Sequence, residues 1–154
     1  MDLSLAERGT HQGLPNNPDA EANVLSAMLL SSEVVEEALT ELLPDDFYRP
    51  MNKALFETMH DMYDRSMPID SITLIDYLNS ENKLQEVGGE AYILELMGQT
   101  LSLVNWQHHA SIVRRDAMLR EIIDELAAFF GVPKQRMRRR PRSKTPIPAI
   151  RMAK

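Results

Sequence analysis

The chain has 154 residues, no cysteine, 44% hydrophobic side chains and a formal net charge of −6 at pH 7. That length gives one domain, with room for an appendage, and a core burying roughly two-thirds of the unfolded surface. Disulfide staples and thiolate metal sites are excluded, no apolar run approaches the ~18 residues of a membrane span, and the N-terminus lacks a signal peptide's basic start and apolar core, so a cytoplasmic protein is expected.

Residues 1–16 read as a flexible arm, 17–130 as a helical body and 131–154 as a separate tail. Asn17 caps a first helix, with Pro18 at its first position and Asp19 and Glu21 near its positive end. Val24, Leu25, Met28 and Leu29 share one face of it. Ser31 and Ser32 interrupt the pattern and cap a second helix, which turns Val34, Val35, Ala38, Leu39 and Leu42 inward and Glu33, Glu36 and Glu37 outward. Pro44 ends that helix, because it has no amide to donate and its ring clashes with the preceding turn. Asp45 and Asp46 close the turn with their side chains, and Phe47 and Tyr48 anchor it.

Pro50 suits the first position of a third helix, whose inward stripe is Met51, Leu55, Met59, Met62 and Tyr63. Pro68 stops it and Asp70 caps a short fourth helix carrying Ile72, Ile75 and Leu78 on one side. The polar run Asn79–Lys83 and the pair Gly88-Gly89 bracket a loop, and the glycines permit a tight turn into a fifth helix with Tyr92, Ile93, Leu96 and Met97. Gly98 is expected to end it. From Val104 a last, long pattern runs to Phe130 through Trp106, Ala110, Val113, Ala117, Ile122, Ile123 and Leu126. At near 25 residues it exceeds an ordinary globular helix, and part of it is expected to project. Two-residue alternation is not sustained anywhere, so the body is all-α with about six helices.

Reaction chemistry is hard to find. None of the six glycines is followed by lysine, so the phosphate cradle G-x-x-x-x-G-K-[ST] is missing. His108 and His109 are helix neighbours, whose side chains diverge by about 100° and so do not chelate one ion. With His11 and His60 scattered, no metal site is expected. Asp45 and Asp46 imitate a catalytic acid pair, but adjacent turn residues lack the contrasting environments that separate two carboxyl pKa values, and turn duty is preferred. The ten methionines fall mostly at core-facing helical positions.

The tail GVPKQRMRRRPRSKTPIPAIRMAK carries nine Lys/Arg and no Asp/Glu, which leaves eight basic against 23 acidic residues in 1–130. Its four prolines and lack of an amphipathic face give the composition of a disordered segment. Arg136, Arg138, Arg139, Arg140 and Arg142 are candidates for salt-sensitive, sequence-independent phosphate binding. Alternatively the tail is out-of-frame translation of a GC-rich gene, and this reading stands slightly ahead.

Three stretches carry a family signature: PNNPDAEANVLSAMLL, LLPDDFYRPMNKALFETMHDMYDRSMPIDSITL and LQEVGGEAYILEL. Together they resemble the N-terminal domain of the DnaB-type replicative DNA helicase, over about Pro15 to Leu126. The resemblance implies a small helical bundle followed by a helical hairpin. It also implies pairing of domains through hairpins into a collar above six motor domains, docking of primase on that collar, and no catalytic residue in this region. ATP and magnesium would belong to the motor domain, so no cofactor is expected on this chain.

Two departures stand out. His109 occupies the place of a tyrosine in the family's N-x-x-x-Y-A-x-I-V-R run, here NWQHHASIVRR. The family also continues past Leu126 into a second hairpin helix, a linker and the motor, where this chain has its tail. The expectation is therefore a helicase collar domain truncated before the ATPase, with helicase subunits and primase as partners and DNA met only indirectly or through the tail. Half a hairpin leaves Ile122, Ile123, Leu126 and Phe129 without an intramolecular partner and makes them the candidate partner surface. The alternatives are a stand-alone nucleic-acid adaptor using the basic tail, and an inhibitor that occupies a collar position in helicase rings.

Overall fold

Six α-helices and no strand are found among residues 13–99 and 103–131, the part of the chain described by the computed structural model. They are α1 (Pro18–Leu30), α2 (Ser32–Glu41), α3 (Pro50–Asp64), α4 (Ser71–Ser80), α5 (Gly89–Gln99) and α6 (Trp106–Phe129). Short 3₁₀ turns lie at Pro44–Asp46 and Gln85–Val87. None of these helices is long and apolar enough to cross a membrane. Most of the expected arm and almost all of the expected tail, including Arg136, Arg138, Arg139, Arg140 and Arg142, lie outside the described residues.

Residues Pro15–Leu119 form one compact unit, and the described residues from Arg120 to Gly131 belong to a second. In the first unit the start signals act as the sequence predicts. The Ala20 amide donates to Asn17 Oδ1 at 2.9 Å, the Val34 amide to Ser31 Oγ at 3.4 Å, and the Thr73 amide to Asp70 Oδ1 at 2.9 Å. Each bond satisfies one of the donors that a helix start leaves without an intrahelical partner.

The core is centred on α1. Its expected single apolar face is an underestimate: Ala20, Ala22, Val24, Leu25, Ala27, Met28 and Leu29 are all buried, as are Glu21 and Ser26. Small side chains on several faces let neighbouring helices approach from more than one side. Ser26 Oγ donates to the Leu96 carbonyl at 2.5 Å, tying α1 to α5. Phe47, Phe56, Leu55, Met59, Met62, Leu74, Leu78 and Ile93 fill the remainder with Trp106, Ala110 and Val113. Each large side chain among them contributes about 1.5–3 kcal/mol by leaving water.

Four local expectations are corrected. Tyr63 is not core-facing but 43% exposed, since the last turn of α3 carries it to the edge of the stripe, while Phe56 is fully buried. On α4, Ile72 is 80% exposed and the inward face is Leu74, Tyr77 and Leu78. The i, i+3, i+6 spacing of Ile72, Ile75 and Leu78 drifts around the helix, whereas Leu74, Tyr77 and Leu78 follow the true 3.6-residue period. Pro68 is not what stops α3. The helix ends at Asp64, with Ser66 in the left-handed region (φ 58°). The Met67 amide reaches back to the Met62 carbonyl at 2.9 Å, the long bond of a Schellman cap. Gly98, finally, lies inside α5 and does not end it.

Candidate functional site

The start of α3 poses a problem that local sequence does not solve. Its N-cap is Arg49, whose side chain makes no capping bond, and Pro50 follows. A helix start without its own acceptor must find one elsewhere or leave donors unsatisfied. The two amides just ahead of the helix find theirs in Glu21 of α1, 1% exposed. Its carboxylate receives the Tyr48 amide at 2.7 Å, the Arg49 amide at 3.4 Å and Asn52 Nδ2 at 2.9 Å. Glu21 thus lies in the first turn of α1, as its position suggests, and also braces the segment leading into α3. Asn52 Oδ1 in turn accepts from the Tyr92 hydroxyl at 2.6 Å. Burial raises the Tyr92 hydroxyl pKa above the usual phenol value.

Three chain segments thus meet at one corner. Tyr92 is brought there by Gly88 and Gly89, which turn the chain at φ 98° and 79°. At Gly88 a Cβ would stand 3.0 Å from Tyr92 Cβ and 3.2 Å from Met51 Sδ, so only glycine fits both the dihedral and the space. The remaining residues of the D-D-F-Y-R-P run also serve this corner. Asp45 pairs with Lys53 Nζ, Asp46 Oδ2 accepts the Leu43 amide at 2.9 Å, and the buried Phe47 ring meets Phe56 at 4.7 Å between centroids. Both aspartates have turn and bracing partners, in keeping with turn duty.

A second polar cluster joins α3 to α4. The Tyr77 hydroxyl donates to Asp61, Arg65 Nε reaches Asp61 Oδ2 at 3.2 Å, and the Arg65 guanidinium stands 5.9 Å from the Tyr77 ring centre. The Tyr77 hydroxyl bond holds the Asp61 pKa below the usual carboxylate range, against burial and with help from Arg65. The same bond raises the pKa of Tyr77. Among the described residues no group of three His, Asp or Glu side chains is placed to hold a metal ion. The His108 and His109 rings stand 6.2 Å apart and inclined at 55°, and His60 Nδ1 lies 3.5 Å from Asp64.

The residues singled out as a partner surface lie on the second unit's part of α6. Ile122 is 53%, Leu126 52% and Phe129 81% exposed, and Ile123 is half-buried. Their spacing, Ile122 to Leu126 to Phe129, places them on one stripe. Phe130 extends it, 73% exposed and edge-on to Phe129 at 5.2 Å. Arg120 and Asp124, by contrast, are buried. The candidate nucleic-acid residues Arg138, Arg139, Arg140 and Arg142 fall outside the described residues.

Sequence reasoning missed Glu21 and Asn52 as the centre of the corner. The signal was available: an Arg-Pro helix start without a capping side chain, and an asparagine beside the apolar stripe of α3.

Comparison with known proteins bears on the helical body that carries the Glu21 corner. Residues 13–115 match the DnaB-like helicase N terminal domain family. The replicative DNA helicase DnaB of Pasteurella multocida is 35% identical over 124 residues, which cover 79% of this chain and 27% of that protein. The replicative DNA helicase DnaB of Haemophilus influenzae is 37% identical over 109 residues, covering 71% and 23%. The chain thus spans about a quarter of the length of these relatives. The crystal structure of the N-terminal domain of DnaB helicase from Mycobacterium tuberculosis superposes with a TM-score of 0.70 at 30% identity, covering 80% of this chain and 91% of that one. With its signature stretches converging on one corner and most of its length matched, this chain belongs to the DnaB-like helicase N-terminal domain family.

Proposed function

We propose that the chain serves DNA replication in the cytoplasm as an assembly and partner-docking module of a replicative DNA helicase. It works through protein contacts with helicase subunits and primase, not through a reaction centre or a cofactor of its own. The observation that carries this reading is the exposed stripe Ile122, Leu126 and Phe129 on a chain of this family. Apolar side chains repeated on one helix face are the pattern by which helices recognise one another. Ile123 and Phe130 widen the stripe. In this reading ATP and magnesium belong to a motor domain outside this chain, which holds no cofactor of its own.

The test uses the whole chain and a Leu126→Asp/Phe129→Asp variant, each mixed with an intact replicative helicase and, separately, with primase, and followed by analytical ultracentrifugation. The expected result is co-sedimentation of the parent chain and its loss in the variant, with unchanged circular dichroism. Equal binding by both chains, or no binding by the parent to either partner, overturns the reading. ATP turnover by the chain alone on forked DNA would overturn its non-catalytic part.

A second reading is favoured by the nine Lys/Arg without a single Asp/Glu in residues 131–154. In it, Arg138, Arg139, Arg140 and Arg142 neutralise nucleic-acid phosphates. Affinity for single-stranded DNA then falls steeply with salt and disappears on deletion of 131–154. Salt-insensitive or undiminished binding removes it.

A further inference from the structure

We draw no further inference here: the strongest candidate, the polar cleft of about 390 Å³ between α3 and α4 walled by Glu57, Asp61, Glu81 and Glu86, is a cluster of carboxylates that Arg65 and Lys83 already stand beside, and nothing in the structure points to a ligand for it.

Discussion

The Glu21 corner and the last turns of α6 use their side chains in opposite ways. At the corner, charged and polar groups are turned inward and given partners: Glu21 to two amides and Asn52, Asn52 to Tyr92, Asp45 to Lys53. On the last turns of α6, Ile122, Leu126 and Phe129 are exposed while Arg120 and Asp124 are buried. The residues that look most like chemistry hold the fold, and the residues with no chemistry are the ones open to contact. A buried carboxylate is tolerable only with its hydrogen bonds intact, which makes the corner sensitive to single changes. An exposed apolar stripe contributes little to the fold and is free to change without unfolding the chain.

The largest break in this contrast comes from Glu21→Leu. It strands two backbone donors and Asn52, at a cost of about 3–4 kcal/mol, read as a lowered midpoint in urea unfolding. A loss under ~1 kcal/mol would mean that the Tyr48 and Arg49 amides have another acceptor. Gly88→Ala follows. The left-handed dihedral and the close approach of Tyr92 together cost about 2 kcal/mol. Gly98→Ala is its internal control, with nothing within 4 Å of the added Cβ. There the sign reverses, a gain of about 0.5 kcal/mol, because helical alanine loses less backbone entropy on folding.

Tyr92→Phe removes only the hydroxyl bond to Asn52 and costs about 1 kcal/mol. A double-mutant cycle with Glu21→Gln should show non-additivity, since both act through Asn52. The same tyrosine sharpens the pH profile. Its pKa is raised in the folded state, so its contribution is complete below the ordinary phenol pKa and is lost as pH rises through the raised one. Tyr92→Phe should therefore flatten the alkaline limb of stability against pH.

Asp61 acts on the other side. Its pKa is lowered when folded, chiefly by the Tyr77 hydroxyl, so its contribution is present above the ordinary carboxylate pKa and is lost as pH falls through the lowered one. Tyr77→Phe should flatten the acid limb, and an unchanged acid limb would show that this bond does not stabilise the carboxylate. The smallest effect on stability belongs to Leu126→Asp/Phe129→Asp. It is expected within ~0.5 kcal/mol of the parent, while association with helicase or primase is lost. A large loss of stability would place the stripe among the folding residues and collapse the contrast.

The sequence by itself determined the helices, because their signals are local. Asn17, Ser31 and Asp70 cap within three residues of their own side chains, and the 3.6-residue period of apolar side chains needs no partner to be read. It also placed Gly88-Gly89 at a turn and left the apolar stripe of α6 in view. Only the tertiary structure decided that Glu21 of α1 receives the two amides leading into α3, that Asn52 and Tyr92 complete that corner, and that α4 turns Leu74 and Tyr77 inward in place of Ile72. The partners of Glu21 lie 27 to 31 residues away, and those of Asn52 reach 40. No periodicity encodes such pairings, because a buried charge takes its donors from whichever element the packing of the core brings beside it.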